Sequence, residues 1–141
     1  MIFSNNRDEL RRFYIDSWRK YQNKELLQPL EAMVVEVISQ HPEYHQMLEK
    51  GDETLDRDFL PEEGQSNPFL HMGMHLAIRE QLSTHRPPGI ELAHAQLLKR
   101  IGDQHEVEHR MLECLGEAMW EAQRSGTAPD EARYLECLKK I

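Results

Sequence analysis

The sequence predicts an all-α fold, a single-domain helical bundle of about five to six helices over residues 1–141. Three observations predict it. Apolar residues recur at three- and four-residue spacing in segment after segment. Prolines and glycines gather at the joints between those segments. No strand-like alternation runs longer than a few residues.

The first helix is expected to begin near Asn6, with Phe3 stapling its entry and Asp8 and Glu9 in its first turn. Its apolar stripe is Leu10, Phe13, Tyr14, Ser17, Trp18 and Tyr21. A second helix opens at Pro29 as a first-turn proline and buries Leu30, Met33, Val34, Val37 and Ile38. Pro42 stops it, because a residue that precedes proline is pushed out of helical angles. A short turn from Pro42 to Lys50 follows. From Gly51 to Asn67 the pattern vanishes, which reads as a long connection of the kind that serves as a lid or mobile segment.

Asn67-Pro68 caps and opens the next helix, which runs to about Thr84. Arg86-Pro87-Pro88-Gly89 is a turn. A helix from Ile90 to Ile101 ends at Gly102. Asp103 with Glu106 makes a capping-box-like start to the longest helix, which ends at Ser125-Gly126. Pro129 opens a last helix with Tyr134, Leu135, Leu138 and Ile141 on its apolar side.

With 141 residues the chain fits one domain. Its 39% hydrophobic and 30% charged residues suit a globular protein and exclude a disordered one. No apolar run approaches the roughly 20 residues needed to cross a bilayer. The N-terminal stretch turns charged at once and lacks the apolar core and cleavage site of a signal peptide, so the expected compartment is the cytoplasm. A formal charge of −8 repels phosphate backbones and argues against a nucleic-acid partner. Cys114 and Cys137 are too far apart for a CxxC motif and read as buried small residues rather than a disulfide or nucleophile.

The eight histidines carry the candidate chemistry. Three pairs lie four residues apart: His41/His45, His71/His75 and His105/His109. Residues at that spacing share one face of an α-helix, so two imidazoles can converge on one ion. His71/His75 lies in line with Ile78 and Leu82, and His105/His109 with Leu112, Gly116 and Met119, both faces expected to point inward. Two such pairs on facing helices would offer four nitrogens to one divalent metal ion, zinc or iron. The ion would also relieve the cost of burying four imidazoles together. His71, His75, His105 and His109 are therefore the expected metal ligands.

The His41/His45 pair is interrupted by Pro42, so His41 reads as ending one helix or capping the next. His94 is a possible extra ligand at an apolar edge, and His85 sits solvated in its proline-rich turn. Glu108 and Glu113 could add carboxylate donors. Four histidines alone suit zinc in a closed site, whereas added carboxylates and an open position suit iron, manganese or catalytic zinc. The competing expectation is a non-enzymatic interaction protein, a homodimer with structural histidines, for which Phe13, Tyr14 and Trp18 would supply the contact face. No GxSxG, Walker or GxGxxG motif is present, and His105-Glu106-Val107-Glu108-His109 shares with the HExxH protease motif only its histidine spacing and first glutamate.

The segment Gly64-Gln65-Ser66-Asn67-Pro68-Phe69-Leu70-His71-Met72-Gly73-Met74-His75-Leu76-Ala77-Ile78-Arg79-Glu80-Gln81 resembles the signature stretch of an uncharacterised bacterial family, number 1841 among the domains of unknown function. The elements Met1-Ile2-Phe3 with Asn6-Arg7, His41-Pro42-Glu43-Tyr44-His45, and Cys114-Leu115-Gly116-Glu117 with Trp120-Glu121-Ala122 are similar too. The resemblance implies a bacterial source and a stand-alone domain, and it implies no activity.

Overall fold

The computed structural model describes residues 7–55, 57, 59 and 67–141. The described residues form eight α-helices and no strand: α1 (Arg7–Gln22), α2 (Pro29–Ser39), α3 (His45–Glu49), α4 (Asp52–Leu55), α5 (Pro68–Thr84), α6 (Ile90–Ile101), α7 (Gln104–Ser125) and α8 (Glu131–Lys139). The all-α expectation holds, but the helices outnumber the five to six expected. The surplus is α3 and α4. A 3₁₀ turn at Pro42–Tyr44 runs straight into α3, and Gly51, at φ 60°, turns the chain into α4. Helices of one turn are too short to write a 3.6-residue period into the sequence. Phe3, Asn6 and most of the connection read as a lid lie outside the described residues.

The chain divides into two compact units, Met1–Leu76 and Ala77–Ile141. In the first, α1 packs against α2, α3 and α4. The core combines Tyr14, Ile15 and Trp18 with Val34, Val37, Ile38, Leu48, Phe69, Met72 and Leu76. Tyr14 and Trp18 are thus core residues, as the apolar stripe of the first helix leads one to expect. Pro29 occupies the first turn of α2, and the Glu31 carboxylate accepts the Gln28 backbone N–H at 2.8 Å. Arg11 is buried, yet its guanidinium is well used. It donates to the carbonyls of Thr54, Leu55 and Arg57 at 3.2, 2.9 and 2.7 Å, satisfying acceptors at the end of α4.

In the second unit α6, α7 and α8 pack pairwise, burying Ile90, Leu97, Val107, Met111, Leu115 and Leu138. Gly102 ends α6 in the left-handed region at φ 85°. Asp103 caps α7 through the His105 N–H at 3.4 Å. Glu106 does not complete a capping box; it pairs with Arg110 at 3.3 Å. Tyr134 donates to Gln81 Oε1 at 2.8 Å, and burial pushes its phenol pKa up despite that bond.

Cys114 and Cys137 are joined in a disulfide between α7 and α8, with their Cα atoms 5.8 Å apart. This corrects the reading of two separate buried thiols. Their 23-residue separation says nothing about proximity until α8 folds back on α7. Among the described residues no helix is long and apolar enough to cross a membrane.

Candidate metal centre

The start of α5 is well anchored. Asn67 Oδ1 accepts the Phe69 N–H at 2.9 Å, and Pro68 occupies the first turn. His71 and His75 then follow one above the other on an unbroken helix. His75 is fully buried and His71 half-buried. Their Nε2 atoms stand 3.2 Å apart. Two imidazoles ligating one tetrahedral zinc at about 2.05 Å would hold their nitrogens about 3.3 Å apart. The helix alone has set nearly that distance.

His41 joins them from another part of the unit. Pro42 ends α2 and leaves His41 at φ −128°, ψ 68°, outside helical geometry. The ring lies 4.6 Å from that of His75 and 5.2 Å from that of His71, centroid to centroid. Its Nδ1 donates to the Val37 carbonyl at 2.7 Å. A carbonyl oxygen can only accept, so the proton is on Nδ1 and the lone pair on Nε2, which is itself shielded from solvent. Such a bond from the second ring nitrogen is the usual way a protein fixes a ligating histidine. His41, His71 and His75 each offer a ring nitrogen within 4.8 Å of the others. Side-chain rotations that move each nitrogen by about 1 Å would gather all three around one ion.

Tyr44 completes the surroundings. Its ring stacks on His41 at 5.6 Å and meets His71 edge-on at 6.3 Å. Burial raises its phenol pKa, reinforced by the nearby Glu43 carboxylate, so the ring faces the histidines uncharged. His45 behaves differently. Its Nε2 donates to the Ile38 carbonyl at 2.8 Å and its ring packs on Trp18 at 4.4 Å.

The second unit holds the other expected pair. The His105 and His109 rings meet edge-on at 4.2 Å. His109 Nδ1 donates to the His105 carbonyl at 3.0 Å, which again leaves Nε2 as the lone-pair nitrogen. Of the carboxylates considered, Glu108 is buried and ion-paired with Arg79 Nε at 3.3 Å, while Glu113 is exposed. His94 is half-buried. His85 is exposed and pairs with Glu91 at 2.5 Å.

Sequence reasoning put His71 and His75 among the first candidates and kept His41, with His45, as a lesser one whose place in the site was left open. The signal was present in Pro42. A proline one residue on breaks the helix and sends His41 and His45 in different directions, so the pair had to be read as two single residues.

An all-α chain whose first unit gathers three imidazoles defines a small helical protein with a histidine-rich candidate metal centre. The chain belongs to the family DUF1841, a domain of unknown function whose model matches residues 6–140. That is the family its signature segments resemble. No curated protein matches the chain, and no solved structure does.

Proposed function

We propose that the protein binds a divalent metal ion, zinc ahead of iron, through helical histidines. The observation that carries this is the convergence of His41, His71 and His75, with the Nδ1 of His41 tied to backbone and the other two Nε2 atoms 3.2 Å apart. Three ring nitrogens brought this close from two separate helical segments offer one ion its donors in advance. The gathered group contains histidines only, and Glu108 is engaged by Arg79. A donor set of imidazoles suits zinc better than it suits iron, which favours added carboxylates.

The two-pair reading drawn from the sequence is part of the proposal. In it His105 and His109 also contribute donors, the coordination shell is filled by histidine, and the ion is structural. The support for it is the repeated HxxxH spacing on α5 and α7.

The test is elemental analysis of protein purified without a metal-affinity tag, alongside His71→Ala and His109→Ala variants. Near-stoichiometric zinc that His71→Ala abolishes supports the centre, and loss in His109→Ala supports the two-pair form. Metal-free protein whose melting temperature does not respond to zinc, iron, manganese or copper would sink both, because tight binding to the folded state must raise its stability. The histidines would then be structural, as in the interaction-protein reading.

A further inference from the structure

The disulfide between α7 and α8 opens onto a groove. Cys114 on α7 is 3% exposed, while Cys137 on α8 is only partly buried. Both line an open groove of about 560 Å³ running between these helices. Ala118 and Ala122 form its floor, one and two turns beyond Cys114. Their small side chains leave a path along which a molecule can reach the sulfur of Cys137. Arg133 and Lys140, four residues before and three after Cys137, stand on the same face of α8 and line the same groove. Glu117, Glu121, Asp130 and Glu136 line it too, so the choice of Cys137 rests on its greater exposure and not on charge.

We propose that Cys114–Cys137 is a reversible redox site whose co-reactant is a dithiol, and that exchange begins at Cys137. A thiolate of the dithiol attacks Cys137 Sγ. A new S–S bond forms to the attacker as the Cys114–Cys137 bond breaks, and Cys114 leaves as a thiolate that takes up a proton. The dithiol's second thiolate then attacks its own sulfur in the mixed disulfide, closing its ring and releasing Cys137. Two electrons pass to the protein, and the dithiol is oxidised to a disulfide.

Contacts other than the disulfide also hold α8: Tyr134 and Leu138 are buried, Tyr134 donates to Gln81, and Asp130 caps the helix through the Arg133 N–H at 3.1 Å. The proposal is independent of the metal reading.

The experiment uses the full chain. Air-oxidised protein is incubated, without denaturant, in buffers of graded reduced-to-oxidised dithiothreitol, then quenched in acid and alkylated with N-ethylmaleimide for mass measurement. The expected result is reversible conversion between zero and two alkylated thiols with helical circular dichroism retained. In parallel, single-cysteine variants are treated with glutathione disulfide. Cys114→Ser, which keeps Cys137, should form the adduct at least about tenfold faster than Cys137→Ser. A bond that opens only in denaturant, a pair that never oxidises, or faster reaction at Cys114 would each overturn the proposal. The wild-type titration decides even if a variant fails to fold.

Discussion

The two units of this chain face the same difficulty and meet it differently. Neither is long enough for a hydrophobic core to carry it comfortably; below about 70–80 residues such a core rarely supplies more than about 3–5 kcal/mol. The second unit carries a covalent tie, Cys114–Cys137, between its two C-terminal helices. The first has no such bond among its described residues. It has instead a polar cluster at its centre, His41, His71 and His75, where an ion would act as the tie. Metals and disulfides are interchangeable as staples for small folds, because each stabilises what a modest core leaves marginal. The difference is that a metal needs donors aimed in advance, whereas a disulfide needs only two sulfurs brought together.

The comparison breaks most visibly at the histidines. Structural zinc sites with four ligands bind with roughly 10–16 kcal/mol of apparent free energy, so one ligand carries on the order of 3–4 kcal/mol. His71→Ala is the cleanest probe because its ring is only half-buried and its loss leaves a small cavity. Zinc affinity, measured by competition with a chelator, should fall at least about a hundredfold. Unchanged affinity would show that the first unit has no ionic tie.

The covalent tie gives the next effect. A loop closed across the 23-residue separation of the cysteines restricts the unfolded chain by about 3 kcal/mol. Cys137→Ser should lower stability in urea by roughly that amount without altering zinc content. A change below about 1 kcal/mol would mean that α8 is held by Tyr134 and Leu138 alone and that the second unit has no need of a staple.

How far the sequence could be read follows the same division. Helices written in a 3.6-residue period, such as α1, α5 and α7, are legible because their apolar faces meet a core. Even there the inward line through His105 and His109 fades, since Met119 is 45% exposed. The one-turn helix α4 is not legible, having no period to detect, and α3 is legible only as a short turn between Pro42 and Lys50. In the site, His71 and His75 are legible because i,i+4 spacing on one helix is local information. His41 is not, because its place beside them depends on how α2 and α5 pack. The disulfide was hidden for the same reason. Local geometry is encoded in spacing, but meetings between distant segments are encoded only in the whole fold.

His45 sharpens the contrast between donors and props. It shares the spacing of a ligand pair with His41, yet its Nε2 is used on the Ile38 carbonyl and its ring on Trp18. His45→Ala should therefore leave zinc affinity unchanged within about twofold, while costing about 1–2 kcal/mol from one hydrogen bond and one ring contact. Calorimetry with zinc and urea unfolding on the same sample separate the two. A large affinity loss would make His45 a ligand and reverse the assignment drawn from Pro42.

The smallest effect concerns how α1 is held to α2 in the first unit. Lys20 Nζ donates to Glu31 Oε2 at 2.8 Å, and this bond, with the Gln28 N–H, holds the Glu31 carboxyl below the usual carboxylate range. The same pairing raises Lys20. Because the folded pKa of Glu31 is depressed, its contribution is full above the ordinary carboxylate pKa and is lost as pH falls through the folded value. Glu31→Gln keeps an acceptor for Gln28 but removes the charge. In metal-free protein the wild type should melt slightly higher than the variant near pH 7, and that gap should close on acidification toward about pH 3. Half-exposed pairs are screened, so the gap should also narrow in high salt. A gap constant across pH would mean that the contact between α1 and α2 rests on apolar residues such as Trp18, Val34 and Ile38 and draws nothing from the Lys20–Glu31 charge pair.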